Sequence, residues 1–345
     1  MTDKNPEGNI IQKILEKSGH PSLLSDLVSD FSMSEINTLL LELFRAKVRE
    51  MSPAELLRHY AQNRFASPSD IDPVRLYRFS ADLLEAAARA GYNALELSPV
   101  TILGSCSVMA KVDQNNVLSA FRGTEVLSDA TNALALHIAF LKSQNSKSHG
   151  IKVRGSKGQV SISQDSIKKP EQQKLDGPVA RSRFCAVHRH VRAQKFGGKN
   201  QLPHFFLYGM VISGIDEGNY KFEKEALRET LSFYHEYLLG QSYLKNLRII
   251  IWPRACVWPR TGNFAEGMYA FLRENNFRNI GVEEAPSESD YYRGLQFKIK
   301  ADCEDKEYEI CDGGFVDWPE KLLQNKKERM LISGMGLERL MRLKL

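Results

Sequence analysis

Predicted strands that follow one another without a helix between them constrain this fold more than any other feature of the sequence. Residues 184–191 and 204–214 form one such pair, and residues 294–301 and 307–311 form another. Consecutive strands with short connections pair antiparallel, whereas parallel neighbours need a long crossover, usually a helix. The other strands and helices predicted in this half are 223–239, 247–252, 264–274, 277–284, 319–324, 329–333 and 336–343. The pattern predicts an α+β fold, a largely antiparallel sheet flanked by helices.

The start of the chain differs from the rest because it contains only helical patterns. Ser52-Pro53-Ala54-Glu55 is a capping box with proline at the first helical position, which predicts a helix start. The turn-rich stretch 67–73 is typical of a linker. We therefore predict a helical N-terminal domain over 1–70 and a larger domain over 71–345, which carries a polar, basic insertion or loop at 141–182.

The composition excludes several classes of protein. The chain has 345 residues, of which 42% are hydrophobic and 26% charged, so it can build a core and is not wholly disordered. No apolar run approaches the roughly 18 residues of a membrane span, and the N-terminus lacks the apolar segment of a secretory signal. The five cysteines are scattered without a CxxC spacing. We therefore expect reduced thiols, no metal site and a cytoplasmic location.

Positive charge is concentrated in one segment. The whole chain carries a net charge of +5, whereas residues 141–200 contain 14 Lys and Arg against 3 Asp and Glu. An excess of this size is expected near a phosphate-bearing ligand such as a nucleotide or RNA. A solvated basic loop explains the same charge, so charge alone leaves both interpretations open.

The C-terminal motif 333-SGMGLERLMRL-343 predicts a strand, a Gly-x-Gly turn and a helix that carries Glu338 and Arg339. Glycines allow a helix to pack close to a sheet and a ligand to approach the backbone. An arginine on the first turn of such a helix can donate two parallel hydrogen bonds to a phosphate. This motif resembles motif 3 of the class II aminoacyl-tRNA synthetases.

Other stretches resemble further motifs of that family, in the family's order, and the resemblance covers roughly residues 74–345. The helix 75–90 with the strand ending at Pro99 resembles motif 1, the dimerisation element, and 121-FRGTEVLSD-129 resembles the loop that holds the substrate amino group. The stretches 187-VHRHVRAQ-194 and 203-PHFFLYG-209 resemble motif 2. The stretches 290-DYYRGLQFKI-299 and 312-DGGFVDW-318 are similar to segments of the histidyl branch.

The resemblance implies a class II catalytic core that binds ATP, Mg²⁺ and a small carboxylate or amino acid, in a homodimer. Arg189 would contact the α-phosphate and Arg339 the γ-phosphate, and both would be catalytic because they stabilise charge in the transition state. Phe205, or its neighbour Phe206, would stack on the adenine. The remaining implied ATP-binding residues are Arg192 and Glu338, and the implied substrate-binding residues are Thr124, Glu125, Leu207, Val211, Tyr291 and Tyr292.

Several positions depart from the family's pattern. Apolar or small residues stand where the histidyl branch, or motif 2 in general, carries polar or charged ones: Val191, Leu207, Val211, Ser287, Phe315 and Val316. Ser287 replaces a catalytic arginine, and Arg293 could supply the lost cation. A buried imidazole without polar partners loses about 1–3 kcal/mol for each missing hydrogen bond. We therefore expect an apolar pocket that excludes histidine and accepts an apolar or aromatic side chain.

The predicted function is ATP-dependent activation of a carboxylate, expected to be an amino acid, by a synthetase paralogue. The sequence stops directly after motif 3, without the anticodon-binding domain of the histidyl branch, so we do not expect ordinary tRNA charging. A carrier protein or a small amine would accept the acyl group. The alternative is a non-catalytic paralogue that binds a protein partner, as the regulatory subunit of ATP phosphoribosyltransferase does.

Overall fold

Four helices open the chain in the computed structural model, which describes residues 6–148, 181–194, 203–255 and 264–344. They are α1 (Pro6–Ser18), α2 (Leu23–Asp30), α3 (Met33–Arg49) and α4 (Pro53–Gln62). The capping box predicted at Ser52 is present, because its side chain accepts from the Glu55 amide while the Glu55 carboxylate accepts from the Ser52 amide. The N-terminal helices predicted from the sequence are thus confirmed.

Eleven strands lie in the described residues and form two sheets. The strands are β1 (Asn93–Ala94), β2 (Val100–Ile102), β3 (Ser119–Ala120), β4 (Thr124–Val126), β5 (Ser182–Val191), β6 (His204–Ile215), β7 (Lys245–Pro253), β8 (Ile280–Val282), β9 (Arg293–Cys303), β10 (Lys306–Val316) and β11 (Glu328–Gly336). The large sheet has the order β1-β5-β6-β11-β10-β9-β7-β8, and the small sheet has the order β2-β4-β3. Only the outer pairs β1–β5 and β7–β8 of the large sheet are parallel. The predicted antiparallel α+β fold is confirmed.

Helices cover both faces of the large sheet. They are α5 (Pro73–Arg89), α6 (Ala130–Ser148), α7 (Lys221–Leu239), α8 (Phe264–Glu274), α9 (Trp318–Leu323) and α10 (Leu337–Leu343). Because strand side chains alternate between faces, Tyr208, Met210 and Ile212 of β6 pack among the apolar side chains of α5, α7, α8 and α10. Val211 points to the other face and packs with α6 and α9.

Helix α6 leaves part of its face of the sheet accessible. It crosses β6 at Gly209, where a β-carbon would lie 3.3 Å from the Ala130 side chain. Phe205 and Leu207, nearer the start of β6 on the same face, are only half-buried. This accessible part of the sheet holds the candidate site.

Strand β10 is longer than predicted, because the sequence pattern suggested an end at residue 311, whereas the strand continues to Val316. Glycine lowers strand propensity, and Gly313 and Gly314 follow directly. Here both are required by close packing: a β-carbon on Gly313 would lie 2.5 Å from the Ile332 carbonyl oxygen. Tertiary packing therefore overrides local propensity in this strand.

The structure describes only part of the residues on which three of the sequence expectations rest. The basic insertion at 141–182 lies largely outside them, as does Cys256. The other four cysteines are free thiols. Within the described parts of the chain, no helix combines the length and apolar character needed to cross a membrane.

Candidate functional site

Two adjoining cavities lie over β6, β11 and β10. The first cavity, of about 510 Å³, contains the side chains of Asp129, Tyr291 and Arg254 in its wall. The second cavity, of about 650 Å³, is lined by Phe205 and Arg339 among others. Four residues line both cavities: Arg192, Leu207, Asp312 and Gly334. Two ligands that occupy these cavities would therefore meet at a shared wall.

The adjacent tyrosines Tyr291 and Tyr292 form one side of the first cavity. Their rings meet edge to face at 4.8 Å, and Tyr291 also packs against Trp318. Gly314 makes room for this pair, since a β-carbon there would lie 2.6 Å from the Tyr292 ring. Burial raises the pKa of both hydroxyls well above the usual value, so they act as hydrogen-bond donors at neutral pH.

Asp129 lies at the start of α6, in the wall of the first cavity. Its Oδ1 accepts hydrogen bonds from the Thr131 amide (2.9 Å) and hydroxyl (2.7 Å), in the manner of a helix cap. Its Oδ2 accepts from the Tyr291 hydroxyl at 2.7 Å. Three hydrogen bonds thus fix the carboxylate where a ligand cation can reach it.

Asp312 is the acidic residue of the shared wall. Its Oδ2 accepts from the Tyr292 hydroxyl (3.2 Å) and from Gln296 Nε2 (3.4 Å). Burial raises the pKa of this carboxyl, with the Lys298 ammonium acting in the opposite direction.

Arg254, at the end of β7, supplies a guanidinium to the first cavity. It donates from Nη2 to Gln296 Oε1 at 2.6 Å and from Nη1 to the Ser287 carbonyl oxygen at 2.5 Å. The sequence resemblance matches Ser287 with a catalytic arginine of the histidyl branch, and the structure places the Arg254 guanidinium beside Ser287. The sequence candidate Arg293 does not line the cavity, because its guanidinium pairs with Asp317 at 3.1 Å and Asp290 at 3.7 Å.

The β5–β6 hairpin supplies one arginine and one aromatic ring to the site. The Arg192 guanidinium lies 5.1 Å from the centre of the Phe205 ring and donates from Nε to the Ser128 carbonyl oxygen at 3.4 Å. Phe205 lines the second cavity, and its ring is accessible to a planar ligand.

The turn from β11 into α10 places Glu338 and Arg339 at the second cavity. Arg339 is exposed and donates from Nη1 to the Glu309 carbonyl oxygen at 2.8 Å. Glu338 is buried, and its carboxylate accepts from the Phe206 amide (3.3 Å) and the Ser69 hydroxyl (3.4 Å). Arg339 therefore keeps donors for a ligand, whereas Glu338 holds the site together.

Several solved structures share the fold of this chain. No protein-family model matches the sequence, and no curated protein matches it. Histidyl-tRNA synthetase from S. aureus superposes with a TM-score of 0.50 at 16% identity, over 80% of this chain and 68% of that chain. A protein from Bacillus halodurans described as an ATP phosphoribosyltransferase regulatory subunit/histidyl-tRNA synthetase gives 0.55 at 10% identity, over 82% and 83%. A structure described as the RNA binding domain of threonyl-tRNA synthetase from Cryptosporidium parvum gives 0.55 at 11% identity, over 81% and 68%.

The chain has the class II aminoacyl-tRNA synthetase fold. The stretches that resemble motif 2 lie on β5 and β6, those that resemble motif 3 lie on β11 and α10, and both border the cavities. Of the predicted site residues, the cavities bring together Arg192, Phe205, Leu207, Tyr291, Tyr292, Glu338 and Arg339.

The motif 2 arginine predicted for the α-phosphate, Arg189, lines neither cavity. It faces Phe206 across the ladder, with its guanidinium 4.5 Å from that ring. It donates to His204 Nδ1 at 2.8 Å and pairs with Glu338 at 3.2 Å. Arg192, three residues further along the chain, lines both cavities.

The predicted ammonium-binding pair, Thr124 and Glu125, also lies outside both cavities. Glu125 is fully buried, and its carboxylate accepts from the amides of Gly104 (2.8 Å) and Cys106 (3.1 Å). The Thr124 hydroxyl donates to the Phe121 carbonyl oxygen. Asp129 and Thr131, a few residues further along the chain, line the first cavity instead of the predicted pair. The available signal was the sequence 129-DAT-131, because aspartate is a typical helix cap.

The structure does not contain the apolar substrate pocket that the sequence predicted. Val211 is fully buried beneath α6, and Phe315 and Val316 are core residues, so none of the three lines a cavity. The first cavity instead contains two carboxylates and two guanidinium groups: Asp129, Asp312, Arg192 and Arg254. The exclusion of histidine on grounds of an apolar wall therefore loses its basis.

Among the described residues, no group of three His, Cys, Asp or Glu side chains is arranged to hold a metal ion. His190 is fully buried, and its Nε2 accepts from the Ala130 amide at 3.1 Å. Burial lowers the pKa of this imidazole to about 3, so it stays neutral and holds the start of α6 against β5.

Proposed function

We propose that this protein activates the carboxylate of an amino acid with ATP, forming an aminoacyl-adenylate and pyrophosphate. The observation that supports this most strongly is the wall shared by the two cavities. A nucleotide in one cavity and an amino acid in the other would meet at Arg192 and Asp312. Holding two reactants in contact removes much of the entropic cost of a bimolecular reaction.

The second cavity has the chemistry for ATP. The Phe205 ring can stack on the adenine, and Arg192 beside it can contact a phosphate. Arg339, exposed at the far rim, is positioned for the terminal phosphates. Mg²⁺ would enter with the nucleotide as a counter-ion of its phosphates.

The first cavity has the chemistry for an amino acid. The Asp129 carboxylate can accept hydrogen bonds from the substrate ammonium, and the Arg254 guanidinium can orient the substrate carboxylate. An oxygen of that carboxylate attacks the α-phosphorus, the bond from this phosphorus to the bridging oxygen breaks, and pyrophosphate leaves. Arginines held beside the phosphate stabilise the charge of the transition state.

Nucleotide binding is tested by thermal unfolding. A ligand that binds only the native state raises the melting temperature, and at 100 times its Kd it adds about 2.7 kcal/mol of stability. We expect ATP with Mg²⁺ to raise the melting temperature of the wild type, and Arg339→Ala to remove most of that rise. Arg89→Ala is the control, because Arg89 is exposed on α5 and pairs only with Glu85. An unchanged wild-type curve at saturating ATP would contradict the proposal.

A partner-binding role is the second candidate, and the N-terminal helices favour it. Helices α2, α3 and α4 bury none of their residues, and they leave Val28 and Leu57 at 74% and 68% exposure. Exposed apolar surface of this kind marks interaction sites.

In the activation reaction proposed above, the acyl acceptor would be a carrier protein or a small amine that approaches the first cavity.

A further inference from the structure

Asp312 has no role in the activation of an ordinary amino acid. Asp129 suffices for one ammonium, and the phosphates and the reacting carboxylate call for cations. Yet Asp312 places a second carboxylate in the wall between the two cavities. Its Oδ2 accepts two hydrogen bonds, whereas its Oδ1 receives none from the residues that the structure describes. One oxygen is therefore open to a ligand.

Arg192 shares the wall with Asp312, and two other cations near Asp312 contact other groups. The Lys298 ammonium pairs with Glu309 at 2.5 Å and lies 4.8 Å from the centre of the Trp252 ring. The Arg254 guanidinium is held by Gln296 and by the Ser287 carbonyl oxygen. Asp312 is therefore a half-buried carboxylate that forms no ion pair within the described residues, and a negative ligand on either side of it would be repelled.

We propose that the first cavity binds a diamino acid, a substrate with one carboxylate and two ammonium groups, such as lysine or ornithine. The inference rests on the proposed function and specifies its substrate class. Asp129 binds one ammonium and Asp312 Oδ1 binds the other, while Arg254 orients the carboxylate. The cavity volume of about 510 Å³ lies within the range of small-molecule sites.

A matched pair of ligands tests the second ammonium. L-lysine and L-norleucine have side chains of similar length, but only lysine carries the terminal ammonium. We expect the full-length protein to bind lysine or ornithine at least tenfold more tightly than norleucine in titration calorimetry without Mg²⁺, and to show the same order in ATP–pyrophosphate exchange. Equal or tighter binding of norleucine would overturn the inference.

The variant Asp312→Asn assigns the preference to this side chain. It keeps the shape and removes the charge, so binding of the diamino acid should fall at least tenfold while binding of norleucine stays within threefold. Asp290→Asn is the control, because Asp290 is an exposed carboxylate outside the cavity that pairs with Lys111. A parallel loss of lysine and norleucine binding would show a general structural role, and Mg²⁺ binding that depends on Asp312 without any lysine binding would show a metal ligand. Either result overturns the inference.

The two proposals fail separately. Exchange with amino acids that lack a second ammonium, and none with diamino acids, would retain the activation reaction and reject this substrate class. Lysine binding that depends on Asp312, without exchange and without any response to ATP, would retain the ligand class and reject the activation reaction.

Discussion

At the scale of single residues, Arg254 shows how one cation can be supplied from another part of the chain. The sequence resemblance matches Ser287 with an arginine of the histidyl branch, and Arg254, directly after β7, donates to the carbonyl oxygen of Ser287. A guanidinium thus reaches this region from a different strand. Its partner Gln296, on the neighbouring β9, fixes its orientation through two hydrogen bonds to one oxygen.

Removal of this guanidinium should lower the rate of adenylate formation. Loss of one preorganised donor at a reacting centre costs roughly 10²–10³ in kcat, about 2.7–4 kcal/mol. We expect Arg254→Ala to reduce exchange to that extent, with a larger effect on kcat than on KM. The double variant Arg254→Ala/Ser287→Arg, which returns a guanidinium to the same region, should recover part of the loss. A double variant no better than the single one would contradict this role for Arg254.

Some of the residues predicted from the motifs line the cavities. Others do not, because the direction in which their side chains point is not specified by the motif. Tyr291 and Tyr292, which the resemblance to the histidyl branch implied, line the first cavity, and Arg339, which follows the Gly-x-Gly turn, lines the second. Arg189 lines neither cavity, because it lies on the face of its ladder partner Phe206 and contacts His204 and Glu338, and a motif alone does not specify the face of a strand. Val211 was predicted to contact the substrate, but helix α6 covers it. The position of α6 over β6 depends on tertiary packing, which the sequence pattern does not show.

At the scale of elements, the Gly-Gly step of β10 links the sheet to the site. A β-carbon at Gly314 would lie 2.6 Å from the Leu295 carbonyl oxygen and 2.6 Å from the Tyr292 ring. The backbone of β10 therefore packs closely against β9 and against the tyrosine that holds Asp312. The order of the long strands along the chain could be predicted from the sequence, because each of them has its own apolar pattern. The extent of β10 was not, because glycine is favoured there only by contacts with distant residues.

Substitution at this step should destabilise the fold. Gly314→Ala must displace either a carbonyl oxygen or the Tyr292 ring, and overpacking of this kind costs about 1–3 kcal/mol. We expect a lower urea midpoint and, because the ring moves, weaker ligand binding in the first cavity. Gly281→Ala is the matched control, since a β-carbon there meets nothing within 4 Å. Equal midpoints for the two variants would show that β10 tolerates the added carbon.

At the scale of the whole molecule, the exposed apolar surface predicts self-association. Helix α5, which resembles motif 1, leaves Tyr77 63% exposed and Val74 56% exposed, and helices α3 and α4 bury none of their residues. Soluble monomers rarely keep large apolar patches, and symmetric dimers are the commonest way to cover them. We expect light scattering to give roughly twice 39.1 kDa at micromolar concentration. A mass of one chain would contradict the motif 1 interface.

Pyrophosphate exchange tests the central claim most directly, because it reports reversal of adenylate formation and needs no acyl acceptor. The protein is incubated with ATP, Mg²⁺, labelled pyrophosphate and each member of a panel of the standard amino acids together with ornithine. The two adjoining cavities predict label in ATP that depends on a specific amino acid, and Arg192→Ala should reduce it roughly 10²-fold or more. Folded wild-type protein that incorporates no label with any member of the panel would contradict the claim.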